Sequence, residues 1–385
     1  MTVASEVNAI AAPSREYSPV LAEFAQRMGS LRYPSLCSLK CRNVMTATTE
    51  KPLVTFAVFS YNQERYIRET VLSAFSQTYE RLEIILSDDG SADRTFEIIQ
   101  HLTDSYSGPH NIKLVKRRPN LGIVNHVMQV AREARGALLI VNAGDDLSYP
   151  GRTSEIVKAW LETGAIAFSS NFDEISSDGI ELRRDCPWPP VKEVQSIFRR
   201  SGKALRFQGD IRSVPGFCAA YQRDFWTNLP FPSQKLFMED GIATLLLNTR
   251  GNVIHHVPKS LMARRIHSAG YSDFARYHGT ESSRLIEREQ KINVVAREIV
   301  IRTRYVIGHA FDAPSEIDAG TLEGLETHIR YGEIVHGFWQ DSWRGRWFRL
   351  LRSRASADFL YVIPRLAGFH NYVRLVKLYR ALGRK

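Results

Sequence analysis

The sequence predicts an α/β fold, a doubly wound and mostly parallel sheet followed by a helical carboxyl-terminal extension. Two observations carry this prediction. Between Pro52 and Pro150, apolar segments of strand length alternate four times with segments of helical periodicity, which is the pattern of β-α units in a parallel sheet. Polar loops rich in Asp, Asn, Gly and Ser follow these strands. In open α/β sheets, ligands bind at such loops.

The four β-α units account for the first part of this pattern. The predicted strands are Leu53–Phe59, Leu82–Ser87, Ile112–Lys116 and Ala137–Val141. The first is almost continuously apolar, as expected of a strand covered on both faces. Because β-α-β crossovers are right-handed, the units predict a doubly wound sheet with helices on both sides.

Beyond Pro150 the alternation is less regular. The segment 191–212 is polar and basic with weak periodicity, and we expect a mobile loop there that covers the site. The other elements predicted in this part are a helix containing Ile156–Leu161, a strand at Ala165–Ser169, a hairpin over Phe172–Asp185, a strand at Val214–Gln222, a short helix at Arg223–Leu229, a helix at Ile242–Leu247, a strand at Val253–Val257, and helices at Tyr277–Arg304 and Leu322–Trp339.

Composition is that of an ordinary globular protein. The chain has 385 residues, of which 44% are hydrophobic and 24% charged, enough for one large core or two smaller ones. No segment approaches the roughly 18 apolar residues expected of a membrane span, and the amino-terminus does not resemble a signal peptide. We therefore expect a cytoplasmic protein. Cys37 and Cys41 lack a second pair that would complete a zinc site, and all four cysteines are expected to be free thiols.

Composition and periodicity along the chain predict three regions. Residues 1–50 carry Ala, Ser, Pro and Thr with little periodicity and are expected to be a partly disordered appendage. Residues 51–275 contain the β-α alternation and are expected to be the functional domain. Residues 276–385 lack that alternation and are predicted to be helical, ending in a basic amphipathic tail.

Nearly all the net positive charge lies in this tail. Between Asp341 and Lys385, eleven Lys or Arg face two acidic residues, while the whole chain carries +10. Aromatic and Arg residues interleave over Trp343–Arg352, a pattern that favours a basic amphipathic helix on an anionic membrane surface. The alternative is a helix that packs on the domain with a solvated basic face. No nucleic-acid-binding motif accompanies the charge, so we expect no nucleic acid partner. From the basic amphipathic pattern we expect a peripheral location on the inner face of the cell membrane.

Two pairs of acidic residues follow predicted strands. Asp88 and Asp89 follow the second strand, and Asp145 and Asp146 follow the fourth. Each pair could cap the next helix or accept hydrogen bonds from a ligand. If the two strands are neighbours, four carboxyl groups face one cleft, and their mutual repulsion favours a divalent cation there. Mn²⁺ or Mg²⁺ with a nucleoside diphosphate suits carboxylates with few His or Cys nearby.

A third acidic pair and a histidine lie later in the chain. Glu239 and Asp240 stand at the start of the helix predicted around Ile242–Leu247, where capping is again the alternative to function. A carboxylate opposite a metal-bound phosphate could be a general base. His267 follows two arginines and could bind a metal or a phosphate, although a lone histidine is more often structural.

Taken together, these segments resemble the family 2 glycosyltransferases, which are inverting enzymes of the GT-A fold. The resemblance runs from about Leu53 to Ser272. It is carried by FSYNQERYIRETVLSAFSQTYERLEIILSDDGSADRT, NLG, NAGDDLSYPGR, MEDG and RIHSAGYS. Each segment alone is weak, but all of them in this order and spacing are highly specific.

The resemblance implies a nucleotide pocket at the first two acidic positions. Asp89 would accept a hydrogen bond from the nucleotide base, and the loop at Ser60 and Tyr61 would line the same pocket. Asp88, which precedes Asp89 in the motif, is assigned to the same donor-binding set.

The resemblance also implies a metal centre and a catalytic base. Asp146 would bind Mn²⁺ or Mg²⁺ at the family's DXD position, and Asp145 would contact the ribose or donor sugar. His267 would lie near the metal or diphosphate. Asp240 matches the catalytic base, and Glu239, assigned to donor binding, precedes it as in many members. One departure is Ala143-Gly144, where many relatives carry a further Asp; the absence of this carboxylate weakens the expectation of ribose recognition more than that of metal binding.

The implied reaction moves a sugar from a nucleotide-sugar donor, with UDP as the expected nucleotide, to a hydroxyl of a glycan or lipid-linked acceptor in bacterial surface polysaccharide synthesis. Two alternatives stay open. A non-catalytic membrane-associated adaptor on the same fold would not require Asp146 and Asp240 together. A nucleotidyltransferase would favour a glycine-rich, basic phosphate loop, which the FSYNQ loop lacks. A dehydrogenase is disfavoured because no G-x-G-x-x-G follows the first strand.

Overall fold

A computed structural model of the chain describes residues 51–187, 213–267, 281–312 and 314–336. All of these belong to the compact unit Met45–Lys385. The predicted appendage at 1–50, the predicted loop at 191–212, the boundary at 275/276 and the basic tail lie outside the described residues.

The described strands form one sheet of nine strands. They are β1 (Val54–Ser60), β2 (Leu82–Asp88), β3 (Asn111–Lys116), β4 (Leu138–Ala143), β5 (Leu147–Ser148), β6 (Ala167–Ser176), β7 (Glu181–Cys186), β8 (Ala220–Gln222) and β9 (Ile254–Ile266). Their order is β3-β2-β1-β4-β8-β6-β9-β5, with β7 paired to β6.

Helices connect and cover these strands. They are α1 (Ile67–Phe75), α2 (Thr95–Asp104), α3 (Ile123–Glu133), α4 (Arg152–Thr163), α5 (Asp224–Thr227), α6 (Glu239–Thr249), α7 (Glu281–His309) and α8 (Ala319–Val335). Short 3₁₀ turns occur at Gly216–Cys218 and Pro314–Glu316.

The predicted fold class is confirmed. Strands β1 to β4 pair in parallel, and every residue of β1 and β2 is buried, as expected when helices cover both faces. The core contains apolar side chains from these strands together with α1, α2 and α4. Antiparallel pairing occurs where β8 joins β4 and β6, where β7 joins β6 and where β5 joins β9.

The chain reverses its direction across the sheet at β1. Strands β2 and β3 are added on one side of β1, whereas β4 is added on the other side. The loops that leave β1 and β4 therefore diverge and open a crevice at the carboxyl edge, the usual ligand position in open α/β sheets. Since β1 separates β2 from β4, the condition for four carboxyl groups in one cleft, adjacency of those strands, is not met.

The strand predicted at Val253–Val257 is only the beginning of β9. The strand continues past Pro258 to Ile266. Proline cannot donate a ladder hydrogen bond, and the pairing register with β6 shifts at this point, from Val257 opposite Ser170 to Ser260 opposite Asn171. This irregularity lets the strand pass the proline and carries Arg265 to the edge where the acidic loops lie.

The strand predicted at Val214–Gln222 was too long. Pro215 fixes its own φ and lacks an N–H, and a 3₁₀ turn follows at Gly216–Cys218, so that only Ala220–Gln222 is a strand. Ala220 pairs with Ile140 in antiparallel orientation. The turn that precedes β8 therefore lies beside the carboxyl end of β4.

Two helices in the carboxyl-terminal region were predicted, and both are present with different bounds, as α7 and α8. A Cβ atom at Gly332 of α8 would lie 2.8 Å from the carbonyl oxygen of Ala296 in α7, so this glycine allows the two helices to pack closely. In the described part of the chain, no helix combines the length and the apolar character needed to cross a membrane.

Candidate active site

The crevice at the reversal point is closed at its base by Gly144. A side chain at this position would collide with the side chain of Gln63 and would lie 3.0 Å from the carbonyl oxygen of Phe59. The Thr70 hydroxyl donates to the Gly144 carbonyl oxygen at 3.0 Å. This close approach is a physical reason for the missing third Asp, because the β1 loop occupies the space that its side chain would need.

Asp88 closes the turn that follows β2. Its carboxylate accepts hydrogen bonds from the N–H of Gly90 at 3.1 Å and of Ser91 at 3.0 Å, and also from the Ser91 hydroxyl. Asp88 is fully buried. These contacts show that Asp88 stabilises the turn after β2. Its assignment to donor binding stays a prediction.

Asp89 joins the β2 loop to the NLG segment. Its two carboxylate oxygens accept the N–H of Leu121 at 2.8 Å and of Gly122 at 2.9 Å, and Asn120 donates to its backbone carbonyl at 2.9 Å. Burial raises the pKa of Asp89, against the effect of these N–H groups and of Lys235. A carboxylate has about four acceptor sites, so a base could still be bound, and this role stays a prediction.

The β1 loop presents one polar and one aromatic residue at the crevice. Ser60 is buried, with its hydroxyl 3.3 Å from the carbonyl oxygen of Ser87. Tyr61 is 51% exposed. Asn62 has a positive φ of 52°, and its N–H donates to the Ser91 hydroxyl at 2.8 Å. The β1 and β2 loops therefore support each other, and Tyr61 is left open to solvent.

Asp146 is buried between the β4 loop and β9. Its Oδ1 accepts the N–H of Arg265 at 2.8 Å. Burial, and then repulsion from Asp145, raise the pKa of Asp146 well above its ordinary value, and Arg264 and Arg152 oppose this shift. The alternative in which Asp146 caps α4 is wrong for the described residues, since the N-cap is Gly151 and no side chain caps it.

Asp145 and His267 are brought together from the β4 loop and the end of β9. The distance between Oδ2 of Asp145 and Nε2 of His267 is 2.9 Å. The imidazole packs on the ring of Tyr66, with 4.6 Å between ring centroids. Its Nδ1 is buried and has no hydrogen-bond partner among the described residues. His267 therefore lies against the acidic loop, and its assignment to the metal or diphosphate stays a prediction.

Arg265 holds the β4 loop in place. Its Nε donates to the backbone carbonyl of Asp145 at 3.0 Å, and its Nη2 donates to Glu69 at 2.6 Å. The guanidinium lies over the Tyr66 ring, 5.0 Å from the centroid. The side chain is 1% exposed, so its charge is placed here by the fold and is not a surface cation.

Asp145, Asp146 and His267 are the candidate residues for a divalent cation site. Nowhere in the described ranges do three His, Cys, Asp or Glu side chains form a group able to hold a metal by themselves. Mg²⁺ sites of nucleotide enzymes commonly use one or two carboxylates, with substrate phosphates and water completing the shell. The buried Asp146, the adjacent Asp145 and the unpartnered Nδ1 of His267 fit that kind of incomplete site.

Glu239 and Asp240 occupy the first turn of α6. Asp240 accepts backbone N–H groups from Gly216 and Gly241, and Gly216 lies so close to the Glu239 carboxylate that no side chain fits there. Burial, and then Asp240, raise the pKa of Glu239 to about 8. Burial also raises the pKa of Asp240, but Arg302 opposes the shift. At neutral pH, Glu239 therefore holds a proton.

The turn at Gly216–Cys218 connects the two acidic sites. The carbonyl oxygen of Ala219, just after the turn, accepts the N–H of Val141 in β4 at 3.0 Å. Gly216, at the start of the turn, donates to Asp240. Asp146 follows the carboxyl end of β4, and Asp240 is held by the turn that lies beside that end.

Arg152 is a site residue that the sequence reasoning missed. It is fully buried and donates to the side chains of Asn142 at 3.0 Å and Ser148 at 2.8 Å, and to the carbonyl of Val141 at 2.9 Å. Burial lowers its pKa to about 10, which leaves it charged at neutral pH. The signal was available, because Arg152 ends the quoted NAGDDLSYPGR segment.

Comparison with known proteins gives a sequence match over part of the chain. Residues 55–228 match the profile of Glycosyl transferase family 2. An uncharacterized glycosyltransferase of Haemophilus influenzae is 36% identical over 124 residues, which are 32% of this chain and 38% of that protein. Chondroitin synthase of Pasteurella multocida is 29% identical over 140 residues, 36% of this chain and 14% of the synthase. The chain thus matches well under half the length of these curated relatives.

A solved structure supports the fold. The mannosyltransferase PcManGT from Pyrobaculum calidifontis, in complex with GDP-Man and Mn²⁺, superimposes with a TM-score of 0.51 and 16% sequence identity, covering 95% of this chain and 88% of that chain. At this identity the likeness concerns architecture, and it agrees with the GT-A assignment of the sheet.

Proposed function

Residues 55–228 form a glycosyl transferase family 2 domain, and from this premise we propose that the protein is a metal-dependent, inverting glycosyltransferase. It moves a sugar from a nucleotide-sugar donor, with UDP as the expected nucleotide, to a hydroxyl of a glycan or lipid-linked acceptor in surface polysaccharide synthesis. One observation carries the proposal: Asp146 follows the carboxyl end of β4, and Asp240 is held by the turn that lies beside that end.

The β1 and β2 loops bind and orient the donor in this proposal. Tyr61 is exposed beside the crevice. Asp89 is held by the NLG segment, and its own N–H donates to the carbonyl oxygen of Ser60 in β1 at 2.9 Å. Asp145 meets the ribose or donor sugar. Because Arg265 fixes the backbone of Asp145, the donor meets a loop that is already ordered, which lowers the entropy lost on binding.

Asp146 and His267 would hold Mn²⁺ or Mg²⁺ together with the donor diphosphate. When bound, the cation neutralises negative charge on the leaving diphosphate. Arg152 lies buried beneath the loop, and its charge partly offsets that of Asp146, so the protein itself lowers the cost of keeping an ionised carboxylate there.

Asp240 is the general base of the reaction. An acceptor hydroxyl oxygen attacks the anomeric carbon, the bond from that carbon to the diphosphate oxygen breaks, and the hydroxyl proton passes to the Asp240 carboxylate. The nucleoside diphosphate leaves with the bonding electron pair. A single displacement of this kind inverts the anomeric configuration. Glu239, protonated at neutral pH, can donate a hydrogen bond to the donor sugar or to the incoming acceptor.

The donor is tested by thermal unfolding of the full chain against UDP, GDP, dTDP, CMP and their common sugars, with and without Mn²⁺. We expect one nucleotide to raise the melting temperature only with the metal, because a ligand at 100 times its dissociation constant adds about 2.7 kcal/mol to the free energy of unfolding. A metal-dependent shift with one nucleotide class identifies the donor. The absence of any shift would favour the non-catalytic adaptor.

We also propose that the basic tail at 341–385 brings the enzyme to an anionic membrane surface, where a lipid-linked acceptor is presented. Each cation near such a surface contributes roughly 1 kcal/mol. Replacing four tail arginines, Arg344, Arg346, Arg349 and Arg352, by Gln is therefore expected to weaken co-sedimentation with vesicles containing phosphatidylglycerol by at least about tenfold.

Two comparisons control the vesicle experiment. Vesicles of phosphatidylcholine alone should bind neither protein, since the proposed attraction depends on anionic lipid. Arg183 and Arg184 are exposed arginines outside the tail, and replacing both by Gln should leave binding unchanged. Equal sedimentation of the tail variant and the wild type would mean that the tail is structural.

A further inference from the structure

The helical region beyond the family-matched residues reaches the proposed base. Helix α7 packs against α6, and it presents two charged side chains, Glu298 and Arg302, to the first turn of α6. Both are buried, with 2% and 7% of their surface exposed. Buried charges of this kind are rare in a helix interface unless they have partners.

Their contacts lie at the residues that carry and flank the acidic pair. Glu298 accepts the N–H of Phe237 at 3.2 Å and also that of Met238. Arg302 donates from Nη1 to Sδ of Met238 at 3.5 Å. A Cβ atom at Gly241 would lie 3.0 Å from Cζ of Arg302, so the guanidinium packs directly on the backbone that follows Asp240.

The titratable groups around Asp240 are mostly acidic side chains. Glu239 lies beside it on α6, the Tyr221 hydroxyl faces it from β8, and Glu298 faces it from α7. Arg302 is a cation that lowers the pKa of both Asp240 and Glu298. Other titratable groups in this environment are Cys218, which interacts with Tyr221, and His328 of α8, which is buried and interacts with Arg302.

We propose that Arg302, packed on the backbone of Gly241, acts through Asp240 in the proposed transfer and favours the ionised form of its carboxylate at the start of α6. The inference rests on the proposed function of Asp240 as base. Without Arg302, the Asp240 carboxyl would lie beside Glu239 and Glu298 without this opposing cation, and its pKa would rise further. The proposal also gives the helical region beyond the family domain a part in the active site.

The presence of two buried charged residues, Glu298 and Arg302, is better explained by an electrostatic effect on Asp240 than by packing alone. Two buried ions cost more to desolvate than hydrophobic residues of the same volume, and an apolar pair at these positions of α7 would pack against α6 without that cost. Glu298 has one carboxylate oxygen without a hydrogen-bond partner in the described part of the chain. Burial raises its pKa to about 7. Glu298 can therefore take up a proton, and Arg302 remains available to Asp240.

The kinetic test replaces Arg302 by Met, which keeps an unbranched, flexible side chain, although a shorter one, and removes the charge. An opposite charge nearby lowers the pKa of a carboxyl group by about 1–3 units. The acid limb of the kcat profile is therefore expected to move to higher pH by about that amount, with an unchanged KM for the donor. Arg302→Lys should restore most of the profile. The control is Arg304→Met, on the same helix as Arg302, where an exposed ion pair with Glu333 of α8 is lost. This variant should change neither the kcat profile nor the KM for the donor.

A second test requires no turnover, and it separates this inference from the proposed function. The free energy of unfolding is measured against pH for the wild type, Asp240→Asn, Arg302→Met and the double variant. Because the folded-state pKa of Asp240 is raised, its contribution to stability is fully present below the unfolded pKa and is lost as pH rises through the folded pKa. In the Arg302→Met background, the Asp240-dependent loss should extend to higher pH.

The outcomes separate clearly. If Asp240-dependent stability follows the same pH curve with and without Arg302, the inference is overturned whether or not the enzyme turns over. If the pH curves differ but the wild type neither binds nucleotide nor turns over donor, the electrostatic coupling stands and the proposed function fails. Should Arg302→Met not fold, the double variant Glu298→Gln/Arg302→Met removes both buried charges and serves in the same comparison.

Discussion

Replacing Asp240 by Asn is expected to lower sugar transfer by about 10²–10⁴-fold, the range associated with loss of a general base. Asn has the same shape, and its Oδ1 can still accept the N–H groups of Gly216 and Gly241 that hold Asp240. It cannot accept the hydroxyl proton of the acceptor. Initial rates at saturating donor measure the loss, and nucleotide binding measured by thermal shift should be unchanged.

The pH dependence of wild-type turnover is an independent test of Asp240 as the base. Burial raises the pKa of Asp240 above its ordinary value, so the ionised form that can accept a proton is lost as pH falls through this raised pKa. The kcat profile should therefore show an acid limb above the usual Asp range. In the Asp240→Asn variant, this limb should be absent from the residual activity.

Two variants control this experiment. Asp224 is an exposed aspartate on α5 paired with Arg223, and Asp224→Asn should leave turnover unchanged. Glu239 already holds a proton at neutral pH, since its pKa is raised to about 8, so Glu239→Gln should cost less than Asp240→Asn. Wild-type turnover in Asp240→Asn would remove the base assignment, and a larger loss in Glu239→Gln would transfer it to Glu239.

The sequence predicted what local patterns determine. The strands β1 to β4 and their helices follow from apolar runs and helical periodicity within short segments, and the loops with Asp89, Asp146 and Asp240 follow from acidic residues placed just after strands or before a helix. These features depend on neighbours along the chain, and a single sequence displays them directly. The fold class was therefore predictable before any spatial arrangement was known.

The order of the strands in the sheet was harder to predict from the sequence. Nothing local places β1 between β2 and β4, and so the expectation that the two Asp pairs would share a cleft depended on an adjacency that is absent. The strand predicted at Val253–Val257 stops before Pro258, but β9 passes this proline through a register shift against β6. The position of Arg265 beside Asp146 follows from that long strand and could not be predicted from a strand ending at Val257.

Arg302 shows how distant residues enter the site. Glu298 and Arg302 stand four residues apart among apolar neighbours of α7, a spacing at which opposite charges on a helix are neighbours. The sequence alone does not reveal which element covers that face. The packing of α7 on α6 identifies the partner, and the family-matched segment ends before either helix begins.

Replacing Asp146 by Asn is expected to remove metal-dependent nucleotide binding. The Asn side chain can still accept the N–H of Arg265, which Asp146 accepts at 2.8 Å, so the loop is retained while one anionic ligand is lost. With a 100-fold weaker affinity, a nucleotide concentration that stabilises the wild type by about 2.7 kcal/mol would stabilise the variant by only about 0.4 kcal/mol. Thermal unfolding with Mn²⁺ and the identified nucleotide measures this difference.

The matched control for this variant is again Asp224→Asn. Gln222, just before α5, pairs with Leu138 at the start of β4, so Asp224 lies at the opposite edge of the sheet from Asp146. Its substitution removes the same charge without affecting the site, and the metal-dependent shift should be that of the wild type. If Asp146→Asn keeps the full shift, Asp146 does not bind the metal. If turnover also survives, the protein's own cations become the candidates for assisting the leaving diphosphate, and Arg264 and Arg152 are two that act on Asp146.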